Sequence, residues 1–401
     1  MHILKIRLAK IKTTLKQSGF KNGFKKLWQD GKLFLKGWLA YKKNGQVLLI
    51  SGGVGDSARY RTFNVAEDLN LKNISALAVN QSNLFLKFLI KNFSVIVFHH
   101  RVIKNKKLKW LIQLAKQERK KIIFDLDDLV LSQEQWKKTE YYQQASLAER
   151  KQYQAGIGEY FFQEILPDYV TVSTTYLKNI IQQFYNKPVQ TIFNKINLEE
   201  IKWAKNIREE KNIKRKKQFQ EEIKIGYFSG TLSHNQDFAT IIPVLTKVLK
   251  DYSFVKLFLV GPLDVKNEFI QNFSSQIYQF SFVPRKEHFQ NLSQIDINLI
   301  PLRLGDAFCE AKSAIKFMEA GLVEVPSIAT ATQTFQEVIQ NNQNGFLAYS
   351  LDDWEKYLRQ LIKSNQLRNE IGKNALKTVL TKHIVGKKSY YEDDVSFYLG
   401  K

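Results

Sequence analysis

The sequence predicts an α/β fold made of two doubly wound parallel sheets. Short apolar runs that end in glycine- or aspartate-rich turns alternate with helix-length stretches over residues 46–205, and the alternation restarts over residues 206–379. The boundary between the two series lies within residues 198–224, which are polar, mixed in charge and without a strong apolar stripe. Because strands that alternate with helices pair in parallel, each series predicts one Rossmann-like domain, with a cleft between the two.

Five strands are predicted in the first series. They cover residues 46–51, 74–79, 95–99, 122–126 and 169–172. Ligands of a parallel sheet bind beyond the carboxyl ends of its strands, so the loops that follow these strands are candidate functional sites.

The turn after the first strand matches the dinucleotide-binding pattern G-x-G-x-x-A through Gly53, Gly55 and Ala58. A nicotinamide dinucleotide site also needs an acidic residue at the end of the second strand to hold a ribose, and Asn80 stands there. We therefore interpret the glycines as a tight turn that needs positive φ.

Three carboxylates, Asp125, Asp127 and Asp128, follow residues 122–124 at the end of the fourth strand. They repel one another, so each needs a compensating interaction. They can bind a divalent metal, take a raised pKa that suits acid–base work or hydroxyl binding, or cap the next helix. We favour a functional carboxylate over a metal site.

The second series predicts strands over residues 223–228, 257–260, 280–283, 295–300 and 325–329, and a helix over residues 312–321. Its strongest chemical candidate is this helix. Lys312 and Lys316 are four residues apart on it, and like charges at that spacing repel unless an anion lies between them. Free backbone N–H groups at its start, together with Lys312 and Ser313, predict a diphosphate cradle.

Glu319 lies one turn beyond Lys316, where its carboxylate can accept hydrogen bonds from a ribose diol. The alternative for this segment is a surface amphipathic helix whose core side consists of Ile315 and Met318.

The composition is that of a chain with large cores and a strong positive charge. The 401 residues are 44% hydrophobic and carry a formal net charge of +23. A single cysteine, Cys309, excludes a disulfide scaffold and a cysteine-based zinc cluster and favours a reducing compartment. The charge predicts an anionic partner, such as nucleic acid, a membrane surface or a phosphorylated ligand.

The positive charge is concentrated in two segments. Residues 1–45 hold twelve lysine and arginine residues against Asp30 alone, and residues 101–121 hold nine against Glu118. In residues 1–18 apolar side chains recur at helical spacing, which predicts a basic amphipathic helical arm that suits the plane of an anionic membrane. The alternatives are an arm that packs on the protein's own core and an arm that binds nucleic acid.

Together these motifs resemble the bacterial GT-B glycosyltransferases of the family 4 type (glycosyl transferases group 1), over roughly residues 46–380. The run from Lys312 to Pro326 is similar to the K-S-x-x-K-x-x-E variant of one branch. Its Glu319 matches the glutamate that holds the nucleotide ribose. The resemblance implies two Rossmann-like domains that face a central cleft, with a nucleotide-diphospho-sugar donor on the second domain.

Two departures from the family pattern bear on the donor site. The earlier glutamate of the E-x7-E motif is Ala311 here, and the usual arginine and lysine are absent from residues 230–237. The resemblance therefore implies Lys312 and Lys316 as the diphosphate ligands. The complete set of implied donor-binding residues is Gly230, Thr231, Lys312, Ser313, Lys316 and Glu319.

The resemblance also extends to the first domain. By register Asp127 takes the position of the family's histidine beside the sugar ring and the acceptor, so the implied catalytic residues are Asp127, Lys312 and Lys316. Residues 56–61 are similar to the acceptor-side loop, and Asn194 lies where the interdomain Pro-Asn-Gly usually stands. The implied acceptor-side residues are Gly55, Asp56, Arg59, Arg61 and Asp128.

The function that the resemblance implies is transfer of a sugar to a glycan or lipid-linked acceptor, with retention, in cell-surface polysaccharide or cell-wall assembly. No cofactor and no metal are expected. Residues 1–45 and 101–121 add the expectation of a cytoplasmic enzyme that is peripheral on the inner face of the plasma membrane, and residues 380–401 are expected to return to the first domain. The alternatives are a non-catalytic GT-B-like scaffold or partner subunit and a basic nucleic-acid-binding protein.

Overall fold

The computed structural model describes most of both predicted domains. The described residues are 44–52, 55–99, 106–129, 150, 167–183, 185–215, 222–230, 235–265, 267–387 and 395–399. The predicted arm lies outside these ranges except for its last two residues, and Thr231 lies outside them as well.

Six parallel strands form the first sheet, in the spatial order β2-β1-β3-β4-β5-β6. They are β1 (Gly45–Ser51), β2 (Ala76–Asn80), β3 (Phe93–His99), β4 (Lys121–Leu126), β5 (Tyr169–Val172) and β6 (Val189–Thr191). The first five confirm the predicted strands. The sixth was missed because three residues are too few to give a recognisable pattern.

Helices cover both faces of this sheet. They are α1 (Asp56–Ala58), a π-helical turn (Arg59–Phe63), α2 (Asn64–Leu71), α3 (Leu86–Asn92), α4 (Lys106–Gln117) and α5 (Thr175–Gln182). The apolar residues of α3, α4 and α5 join one side of the sheet in a single core, whereas α2 packs on the opposite side. Since β2 and β3 lie on either side of β1, the strand order reverses there, and ligand sites open at such a point.

The second sheet also has six parallel strands, in the order β12-β11-β10-β7-β8-β9. They are β7 (Ile223–Phe228), β8 (Val255–Val260), β9 (Ile277–Phe280), β10 (Ile297–Ile300), β11 (Ser327–Thr330) and β12 (Phe346–Ala348). This is the order of dinucleotide-binding folds, with its reversal between β7 and β10. The third strand begins three residues earlier than predicted, and β12 was not predicted.

Ten helices of the described residues belong to or lead into the second domain. They are α6 (Leu198–Arg215), α7 (Asn235–Ala239), α8 (Ile242–Asp251), α9 (Asn267–Asn272), α10 (Arg285–Gln294), α11 (Ala307–Glu310), α12 (Ile315–Leu322), α13 (Gln333–Val338), α14 (Leu351–Lys363) and α15 (Asn365–Lys382). No helix in the described part of the chain is both long enough and apolar enough to cross a membrane.

The polar stretch between the two domains is mainly the single helix α6. This helix continues through residues 205 and 206, where the boundary between the two domains was predicted. Two of its apolar side chains, Ala204 and Ile207, join the core that contains Phe289 and Leu292 of α10. The helix α6 therefore packs on the second domain through a narrow apolar side. This side was not predicted because charged residues surround its few apolar residues in the sequence.

The chain returns to the first domain after α15. A 3-10 turn, Val395–Leu399, places Tyr398 in the core on the α2 side of the first sheet, where it is 1% exposed. Lys121 Nζ donates to the carbonyl of Phe397 at 2.7 Å, and the Phe397 ring meets Tyr169 edge to face at 5.0 Å.

Arg61 holds the first domain together from inside. It is fully buried, and its guanidinium donates to both carboxylate oxygens of Asp125 at 2.6 and 3.1 Å. It also donates to Asn194 Oδ1 at 3.0 Å and to the carbonyl of Ile192. The predicted acceptor-side role of Arg61 is therefore replaced by a structural one, because its side chain reaches the sheet and the interdomain segment instead of the cleft.

We expect Arg61→Leu to lower the free energy of unfolding by about 3–5 kcal/mol, because it leaves Asp125 as a buried charge without its partner. Urea-induced unfolding measures this loss of free energy, taken from the first transition of the curve. The control, Arg359→Leu, breaks the more exposed ion pair with Asp251 and is expected to cost about 0.2–1 kcal/mol. Equal losses in the two variants would contradict the structural role of Arg61.

Candidate active site in the interdomain cleft

A polar cluster lies at the carboxyl edge of the first sheet. Ser57 follows β1, His99 ends β3 and Asp127 follows β4. The Ser57 hydroxyl donates to Asp127 Oδ2 at 2.5 Å and lies 3.0 Å from His99 Nε2, and His99 Nε2 is 3.7 Å from Asp127 Oδ1. Because the Ser57 proton goes to Asp127, His99 Nε2 donates to Ser57. The predicted Asp127 is thus oriented by two residues that the sequence analysis missed.

The signal for His99 was present in the sequence but incomplete. It is the last residue of a predicted strand next to the reversal of strand order, where side chains reach a ligand site. Its partners lie 42 and 28 positions away in the chain, so their proximity could only follow from the strand order.

The three carboxylates at the end of β4 and just after it point to three different places. Asp125 lies in the core with Arg61, Asp127 binds Ser57, and Asp128 pairs with Lys312 of the second domain at 2.7 Å. Each carboxylate therefore has its own compensating partner. Among the described residues, no group of three or more histidine, cysteine, aspartate or glutamate side chains could hold a metal ion.

Glu319 is the centre of the second-domain cluster. Its Oε1 accepts from the Tyr60 hydroxyl at 2.8 Å and pairs with Arg285 Nη1 at 2.5 Å, and its Oε2 lies 2.9 Å from His288 Nε2. Burial alone would raise the pKa of Glu319, but Arg285 and His288 hold it well below its usual value. The carboxylate is therefore ionised inside the interface. Arg285 and His288 are further site residues that the sequence analysis missed.

Tyr60 links the two domains at this point. It belongs to the π-helical turn of the first domain, is 1% exposed and contacts both Glu319 and Arg285 of the second. Burial raises the pKa of Tyr60 well above its usual value, so its hydroxyl stays protonated and acts as a donor. Arg285 also pairs with Glu200 at 2.7 Å, and Arg59 reaches the same Glu200 oxygen at 3.3 Å.

Contrary to the prediction from the sequence, Lys312 and Lys316 do not lie on one helix face. The helix α12 begins at Ile315, so Lys312 precedes it and the two lysines do not share one helix face. The chain makes a separate short helix, α11, that Asp306 caps through the N–H groups of Phe308 and Cys309, and the helical run is interrupted after it. Lys312 instead reaches Asp128 across the cleft.

Lys316, in the first turn of α12, is half-buried as a residue, but its ammonium group is buried. Its Nζ has no hydrogen-bond partner among the residues that the structure describes, and it lies 4.7 Å from the centre of the Tyr227 ring. Burial lowers the pKa of Lys316 to about 8, against smaller opposing effects of Asp237 and Glu319. A buried ammonium with so little compensation favours an anion at its side.

The loops beyond β7 and β8 approach each other closely. Gly261 has φ +92°, and a Cβ there would lie 2.0 Å from the Ser229 carbonyl oxygen, so only glycine fits. A Cβ on Gly230 would meet no atom of the described residues within 4 Å. The predicted donor residue Gly230 therefore lies just beyond β7, at the reversal of strand order in the second sheet.

Of the other predicted acceptor-side residues, Gly55 and Asp56 are exposed, and Arg59 and Asp128 are half-buried in ion pairs with Glu200 and Lys312. Gly55 has φ +152°, in agreement with a turn that needs positive φ. Asp56 is half exposed and pairs with Arg59 at 3.2 Å. Opposite them, Ser313 accepts a hydrogen bond from Asn194 Nδ2 at 2.9 Å, which places the predicted interdomain residue against the predicted donor segment.

Glu310 does not stand in for the missing earlier glutamate. Its two carboxylate oxygens accept hydrogen bonds from the backbone N–H groups of Gly305 at 3.1 Å and Gln333 at 2.9 Å. Glu310 therefore links the segment at Gly305 to the start of α13.

The second domain matches a known family model. The model described as glycosyl transferases group 1 covers residues 209–378. Among curated proteins no match is found.

Solved structures with the same arrangement cover nearly the whole chain. Anabaena Alr3699/HepE in complex with UDP-glucose has 14% sequence identity and a TM-score of 0.56, over 85% of this chain and 96% of its own. A glycosyltransferase from Rickettsia africae ESF-5 has 15% identity and a TM-score of 0.56, over 86% and 95%. Sucrose-phosphate synthase from Thermosynechococcus elongatus has 13% identity and a TM-score of 0.53, over 84% and 94%.

The two parallel sheets and these structural similarities identify the fold as GT-B, which confirms the expectation from the sequence. Together with the family model that matches its second domain, they identify the protein as a glycosyltransferase.

We expect the affinity for a nucleoside diphosphate to fall as the pH rises through about 8, because the free protein loses the Lys316 proton there and the anion binds the protonated ammonium. Calorimetric titration between about pH 6.5 and 9.5 measures this affinity. Above the pKa of Lys316 the affinity should fall by a factor that approaches tenfold per pH unit. The control, Lys316→Met, should bind more weakly at neutral pH and show no such fall. A fall of the same size in that variant would assign it to another group.

Proposed function

We propose that the protein transfers a sugar from a nucleotide-diphospho-sugar on the second domain to an acceptor on the first. The observation that carries this is the buried ammonium of Lys316, next to the reversal of strand order and one turn before Glu319. Two structures with the same fold are complexes with UDP and with UDP-glucose, which supports a donor of this class.

The donor diphosphate is held where Lys316, Lys312 and the start of α12 converge. Negative charge grows on the leaving diphosphate as the glycosidic bond breaks, and pre-arranged cations and backbone N–H groups stabilise it by several kcal/mol. Lys312 pairs with Asp128 until a diphosphate competes for its ammonium, so donor binding changes a contact between the domains. Gly230 and Ser313 complete the donor side, and we assign Thr231 to it by position in the sequence.

Glu319 holds the ribose by its remaining acceptor capacity. A carboxylate has about four acceptor positions, and Tyr60, Arg285 and His288 use three of them among the described residues. One position on Oε2 is left, which suits one ribose hydroxyl rather than both.

The acceptor hydroxyl, or the sugar ring of the donor, is oriented by Asp127. Ser57 and His99 fix the carboxylate, and Gly55, Asp56 and Arg59 line the rim from which an acceptor enters. We further propose that the anomeric configuration is retained, as the resemblance to family 4 implies, and that neither a metal nor a cofactor takes part.

The acceptor is a glycan or a lipid-linked glycan in cell-surface polysaccharide or cell-wall assembly. The basic segments, residues 1–45 and 101–121, support a position at an anionic membrane, which we take to be the inner face of the plasma membrane.

A second candidate function is that of a non-catalytic GT-B partner subunit. It is favoured by Ala311 at the position of the earlier glutamate and by Glu310, whose oxygens are used by backbone N–H groups. A thermal-shift screen of nucleotide sugars, followed by an assay of donor hydrolysis, separates the two candidates. A ligand at 100 times its Kd adds about 2.7 kcal/mol of stability, and stabilisation without hydrolysis or transfer would favour the subunit.

Lys312→Ala is expected to lower kcat/KM for sugar transfer by about tenfold or more, because one cation is lost from the leaving diphosphate. The initial rate of nucleoside diphosphate release measures it. Lys356→Ala, on the outer surface of α14, is the matched control and should leave the rate unchanged. Near-normal turnover of Lys312→Ala would contradict the proposed donor site.

Asp127→Asn is expected to lower kcat by about 10²-fold or more while the Kd of the donor changes little, because the oriented charge is lost at the reacting groups and the nucleotide contacts on the second domain remain. Rapid-mixing kinetics and calorimetry together separate the two constants. A rise in the donor Kd that accounts for the whole effect would move Asp127 to the donor side.

A further inference from the structure

Aromatic side chains are exposed along the edge strand β9 of the second sheet. Tyr278 and Phe280 are each 42% exposed, and Phe282, two residues beyond the strand, is 67% exposed. Side chains two residues apart on a strand point to the same face of a sheet, and Phe258 of β8 lies directly opposite Tyr278 in the register. These four residues are the aromatic row. Exposed apolar side chains that lie together mark an interaction surface.

The rings of the aromatic row are held nearly parallel. The centre of the Phe258 ring lies 5.4 Å from that of Phe280, with 10° between the ring planes, and 5.4 Å from that of Tyr278, with 29° between the planes. This is the offset-stacked arrangement that aromatic pairs prefer. Phe258 also packs against the core that contains Phe289 of α10. The middle ring therefore anchors its exposed neighbours in fixed orientations.

The aromatic row is uncharged, although the whole chain carries a net charge of +23. Residues 276–283 contain no charged side chain. On the same face of the sheet Lys256 pairs with Glu222 at 3.9 Å, and Lys224 Nζ lies 5.8 Å from the centre of the Phe258 ring. The row thus combines flat apolar rings with a hydrogen-bond donor beside them. A nucleic acid or an anionic membrane would require a denser set of cations.

The exposed area of the row is small. If each ring has about 200 Å² of surface, Tyr278, Phe280 and Phe282 together expose roughly 300 Å². A stable protein interface takes about 800 Å² from each partner, so a second copy of the chain would gain too little from this row. A glycan needs less area, because the apolar C–H groups of one sugar ring are covered by one aromatic ring.

We propose that the aromatic row binds a neutral glycan chain. A sugar ring carries C–H groups on its face and hydroxyls at its rim. The faces stack on the exposed rings of Tyr278, Phe280 and Phe282, and a hydroxyl accepts a hydrogen bond from the Lys224 ammonium group.

The aromatic row leads to the cleft. The carbonyl of Phe280 accepts from the backbone N–H of Gly261 at 2.9 Å, in the loop that closely approaches Ser229. Three residues beyond Phe282, Arg285 pairs with Glu319 in the domain interface. A glycan on the row would therefore enter the cleft from the second domain. This inference gives the proposed glycan acceptor a binding place away from its reacting hydroxyl, and only this step rests on the proposed function.

Native electrophoresis of the full-length protein through gels that contain a soluble neutral polysaccharide tests the proposal. Dextran, hydroxyethyl cellulose and galactomannan are the probes, and at least one of them should retard the wild type. The double variant Tyr278→Ser/Phe280→Ser should bind that polysaccharide about tenfold more weakly, and Phe282→Ser about threefold more weakly, because stacking surface is lost. Phe282 is the most exposed ring of the row, so its replacement disturbs the fold least.

Matched controls remove exposed rings elsewhere. Trp110 and Tyr349 are 44% and 56% exposed and lie outside the row. The double variant Trp110→Ser/Tyr349→Ser and the single variant Tyr349→Ser should bind the polysaccharide like the wild type. Lys312→Ala should do so as well, because the gel measures binding without donor or turnover. A failure of the proposed sugar transfer is thereby distinguished from a failure of this inference.

Four results would overturn the proposal. They are absence of retardation of the wild type in all three gels, equal retardation of the wild type and both row variants, equal loss in the row variants and their controls, and self-association or poly(U) binding that the row variants lose while no polysaccharide retards the wild type.

Discussion

An ionised carboxylate inside the domain interface is the constraint on which the closed arrangement depends. Glu319 is buried, and its charge is tolerable because Arg285, His288 and Tyr60 surround it. Two of these partners belong to the second domain and one to the first. Separation of the domains would therefore leave the carboxylate with one hydrogen bond fewer, and the cost of that loss favours the closed form.

Further contacts across the cleft are also pairs of opposite charges. Arg59 of the first domain and Arg285 of the second share one oxygen of Glu200, which lies on the helix between them. On the other side of the cleft Lys312 meets Asp128. The glycosyltransferase thus closes through ion pairs that an anionic substrate can exchange for its own contacts, whereas Lys316 keeps a charge that protein groups compensate only in part.

Ten of the twelve strands and the general place of the candidate site could be predicted from the sequence, because apolar runs and glycine- or aspartate-rich turns are local signals. Asp127, Lys316 and Glu319 could be singled out in the same way. Their surroundings could not, because Tyr60 and Glu319 are 259 positions apart and meet only through the packing of two domains. The start of α12 was also misplaced, since the cap of α11 by Asp306 uses a short-range hydrogen bond that the periodicity of apolar residues does not show.

Three consecutive side chains of the π-helical turn Arg59–Phe63 point to three different parts of the molecule. Arg59 reaches the connecting helix, Tyr60 the second domain and Arg61 the first sheet. In the proposed complex, a shift of this turn by the acceptor would pass through one peptide unit to Glu319, the proposed ribose ligand. By thermodynamic linkage, whatever factor an acceptor applies to donor affinity the donor must apply to acceptor affinity, so a coupling carried by this one turn would have the same size whichever substrate bound first.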